Sequence, residues 1–429
     1  MSLFSLSEYK TDVRTEVIAG VTTFLTAAYI IFVNPNILSA TGMDKGALIT
    51  VTCLVAGLSS ILMGLMANAP FMMAPGMGVN AFFAFSLCLG QGIPWQTALG
   101  VVFISGMLFV VLTAVGVREK IINSIPANLR LAASVGIGFF ITFIGFQNMG
   151  LIVKSDAVLV QMGAISPSVM IALGGLTLMA VLEGYHVKGA ILIGILVTTV
   201  VGFMTGLAPA PEAIVGVPAS MAPIAFKLDI MAALTASLAA PIFTFMFVDL
   251  FDSLGTMLAV SHEAGRVKED GTIPGIGRML GADAIATVFG ALMGTSTTTT
   301  YIESASGVAE GGRTGLTAVV TGVLFLLALF FGPLIGSVPA FATAPALVVV
   351  GIFMVRGIHR IDFTHFDEAV PAFLTIILMP LTYSISNGLV FGFLSYVVIK
   401  LLMGRAKDLN PVLVGVALLC LANLLVSGG

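Results

Sequence analysis

Stretches of about 20 apolar residues recur along this chain from residue 15 to residue 403, broken only by short clusters of Gly, Pro and charged residues. That recurrence leaves one broad class open, because in hydrocarbon an irregular backbone survives only where it is packed in protein or lines a water-filled cavity. Composition agrees. The chain is 58% hydrophobic and 9% charged, whereas soluble domains are about 25% charged. It reads as an all-α polytopic integral membrane protein of the inner or plasma membrane. A net charge of −3 carries no basic stripe for nucleic acid. Cys53, Cys88 and Cys420 sit in apolar segments without metal-type spacing and read as packing residues.

Hydropathy and helix breakers place fourteen spans. The first half gives 15–33, 47–67, a short 76–89, 97–116, 128–152, 167–182 and 188–206. The second gives 231–259, 279–293, a short 302–311, 314–335, 342–356, 369–385 and 388–403. Residues 1–14 form a polar N-terminus without a cleavable signal, 207–230 an external linker, and 404–429 a tail whose apolar stretch 411–427 either spans or lies at the interface.

A cytoplasmic N-terminus puts fifteen basic residues inside, Arg118, Lys120 and Lys268 among them, and only Lys45, Lys154 and Lys227 outside. That asymmetry supports the parity of the count.

The two halves resemble each other. Ser124-Ile-Pro-Ala matches Ser337-Val-Pro-Ala, and Leu62-Met-Gly-Leu-Met-Ala-Asn-Ala-Pro echoes Phe289-Gly-Ala-Leu-Met-Gly-Thr-Ser, in the same order. With seven spans per half, 15–206 and 231–403, the second copy enters from the opposite side, which gives inverted repeats. Each half also carries an interrupted third segment. One is Pro70-Phe-Met-Met-Ala-Pro-Gly-Met-Gly-Val-Asn-Ala-Phe-Phe; the other is the run of hydroxyls and glycines from Gly294 to Gly315 that holds Glu303 and Glu310. Corresponding broken helices mark the expected binding site. Pro75, Gly76 and Gly78 oppose a continuous helix, and a half-helix starting after them aims unpaired N–H groups inward. An ionised Glu303 at membrane depth is expensive unless it serves a site.

A second acidic element, Phe247-Val-Asp-Leu-Phe-Asp-Ser-Leu-Gly-Thr, lies on segment 8. Its spacing puts Asp249, Asp252 and Thr256 on one helical face. Protonation would neutralise one carboxyl, which makes such a residue a proton carrier. Glu310 and Arg313 read as an interfacial ion pair, Asp283 as a cap or pairing residue, and 262–270 with the turn Asp270-Gly271 as a solvated loop. The four histidines lack metal spacing, and no nucleophile–base pattern or phosphate-binding Gly-rich loop appears.

These residues carry a family resemblance over almost the whole length. The chain resembles the azaguanine-type purine permeases of the nucleobase–cation symporter family, within the nucleobase/ascorbate transporter superfamily. The signature lies in Asn68-Ala-Pro-Phe-Met-Met-Ala-Pro-Gly-Met-Gly-Val-Asn-Ala-Phe-Phe-Ala, the segment 8 motif, the run from Gly294 to Val319 and Met379-Pro-Leu-Thr-Tyr-Ser-Ile. The resemblance implies fourteen segments in a seven-plus-seven inverted repeat. Its core domain would be segments 1–4 and 8–11 (about 15–116 and 231–335), and its gate domain segments 5–7 and 12–14 (about 126–206 and 340–403). Segments 3 and 10 would begin with short extended stretches.

By the same resemblance, Asp252 and Glu303 are the acidic positions of segments 8 and 10. Asn80, Met77 and Gly78 are the contribution of segment 3, and Thr26 faces the same cavity. Where uracil transporters have a glutamate and then a histidine four residues later, this chain has Asp252 and Thr256, which leaves room for a bicyclic ring. Ring and exocyclic N–H donors of guanine or hypoxanthine need acceptors, and Glu303 is the first choice. Asp252 is a substrate ligand, the proton site, or both.

The expected function is import of hypoxanthine, guanine and possibly adenine by proton symport with alternating access. It implies no cofactor beyond the coupling proton, and a homodimer through the gate domain. Sodium coupling through Asp249, Asp252 and Thr256 stays open. An anion exchanger or channel of the same broad fold would favour a cationic or neutral site, against Glu303. The paired-acid signatures of an intramembrane aspartyl protease do not match Asp249, Asp252 or Asp283.

Overall fold

The computed structural model describes residues 4–116, 125–267 and 273–427. Arg118, Lys120, Ser124, Lys268, Glu269, Asp270, Gly271 and the side chain of Cys420, all invoked above, lie outside the described residues. Cys53 and Cys88 are buried thiols.

Among the described residues, ten helices are long and apolar enough to cross a membrane. They are segments 1 (Val13–Ala27 and Ile30–Ser39), 2 (Lys45–Ala67), 4 (Trp95–Ala114), 5 (Ala127–Met149), 6 (Pro167–Gly184), 8 (Ala239–Glu263), 9 (Ile276–Met293), 11 (Gly315–Ala328 and Gly332–Gly336), 12 (Ala340–Val355 with the turn Arg356–Arg360) and 14 (Ile385–Leu402). Shorter helices are segment 7 (Ala190–Met204) and segment 13 (Phe366–Leu381). Segment 3 is strand β1 (Met73–Pro75) followed by the helix Met77–Ala81 and a π-helical turn Phe82–Gly90. Segment 10 is a strand (Thr298–Thr300) followed by the helix Ser304–Ala309.

Helix starts follow local chemistry. Asp44 accepts the amide of Ala47 at 2.7 Å, and Ser166 caps segment 6 with Pro167 in its first turn. Segment 2 ends on Asn68 in the left-handed conformation, φ 47°. The Asn68 side chain then accepts the amide of Gly315 at 2.8 Å, so one residue closes segment 2 and holds the start of segment 11.

Segment 2 packs on segment 11, segment 4 on segment 9, segment 5 on segments 12 and 13, segment 1 on segment 11, and segment 8 on segment 4. The contact between segments 2 and 11 runs through glycine. A Cβ on Gly315 would lie 1.9 Å from the carbonyl oxygen of Gly64, and one on Gly322 would lie 2.5 Å from that of Gly57. Small residues let helix backbones approach where lipid gives no hydrophobic drive between helices. Gly315→Ala must force these backbones apart. It is expected to lower stability by about 1–3 kcal/mol, the cost of overpacking, seen as a fall in the unfolding midpoint of the purified protein. Gly174→Ala, with nothing near its position, is the neutral control.

Several expectations needed correction. Segment 1 does not end at residue 33. It breaks after Ala27 and resumes through Ser39, with Asn34 and Pro35 buried inside its second half. The residues before segment 8 form a separate turn, Ile230–Ala233. The connection after segment 5 contains an unforeseen hairpin, β2 (Ile152–Ser155) with β3 (Leu159–Met162), so the second interrupted segment carries strand β4. Glu310 pairs with Lys188 rather than Arg313. The Arg313 Nη1 donates instead to the carbonyls of Val308 and Gly312, at 2.6 and 2.8 Å, tying back the turn that follows segment 10.

Candidate functional site

The two interrupted segments meet. Strands β1 and β4 pair antiparallel, with Met73 opposite Thr300, Ala74 opposite Thr299 and Pro75 opposite Thr298. The ladder continues through the amide of Gly76 to the carbonyl of Thr297, at 2.9 Å, and the amide of Tyr301 to the carbonyl of Met72, at 3.1 Å. A two-stranded ladder buried in protein leaves two open edges that must find partners. Ser60 closes the edge of β1, accepting the Met73 amide at 2.9 Å and donating to its carbonyl at 3.1 Å. Ser253 and Thr287 close the other edge through the amide of Thr300 and the carbonyl of Thr298.

The helical parts of segments 3 and 10 begin directly after these strands. Gly76 and Glu303 occupy the positions preceding them, and neither start has a side-chain cap.

Glu303 is half-buried and accepts a short hydrogen bond from the hydroxyl of Tyr29. Tyr29 is 1% exposed and sits in the break of segment 1. The break therefore has a role: it points a phenol across the bundle at the acid. Asp252, half-buried on segment 8, lies in the field of Glu303 and Asp283 and beside the hydroxyl of Thr299. The phenols of Tyr29 and Tyr301 sit in the field of both Glu303 and Asp252. The Tyr301 hydroxyl donates to the carbonyl of Pro75 at 2.5 Å and so ties the two broken segments once more. The structure thus gathers two carboxyls, two phenols and Thr299 around the strand crossing.

The other sequence-derived residues are placed differently. Asp249 is fully buried and turns to segment 9, accepting from Thr287 at 3.1 Å and Ser253 at 3.4 Å, while Ser253 donates to Asp283 at 2.6 Å. Three residues along a helix leave about 60° between side chains, enough to send Asp249 and Asp252 to different neighbours. Thr256 is buried one turn further on. Asn80 is also fully buried, donating to Asn34 at 2.6 Å and accepting from Ser296. Asn34 continues that network to Thr52 at 2.8 Å and Thr295 at 3.3 Å. Asn80 therefore joins segments 1, 2, 3 and 10 behind the half-helix.

Met77 is buried, and the bare Cα of Gly78 admits Ile137 of segment 5, whose Cγ2 would lie 2.6 Å from a Cβ there. Thr26 is half-buried and returns its hydroxyl to the carbonyls of Thr22 and Thr23, both at 3.0 Å.

Where segments 3, 5 and 13 meet, the packing is aromatic. The ring of Tyr383 meets Phe85, Phe140 and Phe143 edge-on, at centroid distances of 6.0, 5.4 and 5.9 Å. Its hydroxyl donates to Gln147 at 2.6 Å, and its carbonyl accepts from Ser86 of segment 3 at 2.7 Å. Apolar walls with a few placed polar groups are the usual build of a small-molecule site. Sequence reasoning missed Tyr29, Tyr301 and Thr299. Tyr29 lies in the break after Ala27, so helical spacing from Thr26 does not point to it.

Paired broken helices inside an apolar bundle are the arrangement in which membrane transporters build their binding sites. The chain belongs to the Permease family, whose sequence profile matches residues 14–391. It is 45% identical over 418 residues to the adenine permease AdeP of Escherichia coli, covering 97% of this chain and 94% of that one. It is 46% identical over 426 residues to the guanine/hypoxanthine permease PbuG of Bacillus subtilis, covering 96% and 97%. In fold it is similar to the transmembrane domain of the cyanobacterial bicarbonate transporter BicA, with a TM-score of 0.67 at 14% identity, over 88% of this chain and 97% of that one.

Proposed function

We propose that this permease imports purine nucleobases by proton symport with alternating access, binding the base between the half-helices of segments 3 and 10. The observation that carries the reading is the Tyr29–Glu303 pair beside Asp252 at the strand crossing. A carboxylate accepts from the ring and exocyclic N–H groups of a purine, and the aromatic wall offers faces for its rings. The names of AdeP and PbuG point to purines. In this reading Glu303, Asp252, Thr26 and Thr256 belong to the substrate side. Met77, Gly78 and Asn80 build the segment 3 half-helix, and the coupled proton is held by Asp252 with Asp249 and Glu303.

Inverted repeats of seven segments, 15–206 and 231–403, fit the packing. Exchanging segment n for n + 7 turns the contact of 2 with 11 into that of 9 with 4, and the contact of 1 with 11 into that of 8 with 4. Segments 1–4 with 8–11 would form the moving core, and segments 5–7 with 12–14 the gate and a homodimer contact. The N-terminus would be cytoplasmic. Anion exchange is disfavoured because two carboxyls at the crossing repel an anionic substrate. Sodium coupling is distinguished from proton coupling by the gradient experiment in the Discussion.

Competition for uptake tests the substrate class. Unlabelled hypoxanthine, guanine or adenine should suppress uptake of the labelled preferred purine at least tenfold more effectively than uracil. The smaller ring leaves the imidazole-side contacts of a bicyclic site unmade. Equal competition by uracil would remove the purine assignment.

A further inference from the structure

At the end of the molecule that carries the N-terminus, a polar cavity of about 390 Å³ opens between the N-terminal tail, the turn after segment 8 and the turn before segment 11. Among its lining residues are Lys10, Arg266 and Arg313 against one acid, Glu8. Arg266 is 8% exposed, and its guanidinium meets only neutral groups. Nη1 donates to the carbonyls of Asn68 at 2.8 Å and Arg313 at 3.1 Å, and Nη2 reaches the Tyr9 hydroxyl at 3.4 Å. Its Nε is buried without a hydrogen-bond partner.

The nearby carboxylate of Glu16 is spent elsewhere. It accepts the amides of Arg313, Thr314 and Thr317 and the hydroxyl of Thr317. Among the described residues, Lys10, Arg266 and Arg313 form no ion pair. Burial also lowers the pKa of Arg266, because desolvation works against the charged form. A buried guanidinium with an unused donor, flanked by two further cations, lacks an anion.

We propose that this cavity binds a phosphate-bearing anion, held by the guanidinium groups of Arg266 and Arg313 and the Lys10 ammonium. Phosphate fits because it supplies several strong acceptor oxygens and a charge that the arginine fork recognises. A cavity of this size admits a whole nucleotide as well as a headgroup. Binding here joins the tail to the segments that carry Asp252 and Glu303. Tyr9 lies under the Arg266 guanidinium at 5.0 Å, Arg266 follows directly on the helix that carries Asp252, and Arg313 follows the one that starts at Glu303. The inference stands apart from the purine reading and uses none of its residues.

The test is calorimetric titration of the full-length protein. Inorganic phosphate and guanosine 5′-monophosphate are titrated separately into protein in nanodiscs of neutral phosphatidylcholine, and the measurement is repeated in nanodiscs containing phosphatidylglycerol. The expected result is one saturable site per chain, weakened at least tenfold by Lys10→Gln and by Arg313→Gln. Lys10→Gln leaves purine affinity unchanged. Saturable phosphate binding in neutral discs identifies a soluble ligand. A site unoccupied by either soluble probe, but with phosphatidylglycerol raising the unfolding midpoint of wild type and not of the variants, identifies a lipid headgroup. Absence of both effects, or effects indifferent to Lys10→Gln and Arg313→Gln, would overturn the proposal. Loss of purine transport with phosphate binding intact would count against the transport reading alone.

Discussion

Glu303→Gln is expected to lower purine affinity at least tenfold while the protein still inserts and folds. The amide keeps one acceptor oxygen but removes the charge, and a hydrogen bond to a charged group is worth about 1.5–3 kcal/mol, or about 10- to 150-fold in Kd. Folding should survive, because Glu303 is half-buried and its side chain accepts from the Tyr29 hydroxyl, which can also donate to an amide oxygen. Tyr29→Phe supplies a second measurement. If Tyr29 acts by orienting the carboxylate, its removal weakens binding in the wild type and adds little once Glu303 is already Gln. Equilibrium binding of hypoxanthine and guanine to the four proteins of this cycle checks both statements. Undiminished affinity in Glu303→Gln would remove the residue from the site.

Much of the architecture was legible because membrane physics makes it so. A helix has to present about 20 apolar residues to cross, so hydropathy finds it. A strand inside that environment has to bring its own partners. This is why Pro75-Gly76 and the run of threonines before Tyr301 stand out, and why these two places pair as β1 and β4. Glu303 and Asp252 stand out as candidates for the same reason, since charge in hydrocarbon is costly without a purpose.

What was hidden depended on geometry that residue type does not carry. Tyr29 looks like one more apolar residue until the break of segment 1 turns its hydroxyl toward Glu303. Asn80 looks like a ligand by position, and only packing shows its amide joined to Asn34 and Ser296. Asp249 and Asp252 look equivalent on a helical face. Their neighbours separate them, Asp249 meeting Thr287 on segment 9 and Asp252 lying beside Thr299 on β4. The hairpin after segment 5 went unread because its strands are only four residues each and lie in a connection between two spans.

In the proposed reading, that separation makes Asp252 the first choice among the three acids for the coupled proton, because it is the one beside β4 and Glu303. It lies in the field of the proposed substrate acceptor Glu303 and of the acid Asp283 on segment 9, so its protonation state is sensitive to both. Asp252→Asn, a fixed mimic of the protonated form, is expected to abolish uphill purine accumulation while lowering equilibrium binding far less than Glu303→Gln does. The wild type should concentrate purine in proteoliposomes under an imposed pH gradient. An inside-negative potential should help, since each net positive charge moved inward contributes about 2.3 kcal/mol per 100 mV. In Asp252→Asn both driving forces should fail, leaving at most equilibration. Applying pH and sodium gradients separately makes the test decisive. Accumulation driven by sodium alone and indifferent to pH would replace the proton by a sodium ion, and would return Asp249, Asp252 and Thr256 to the role of its ligands.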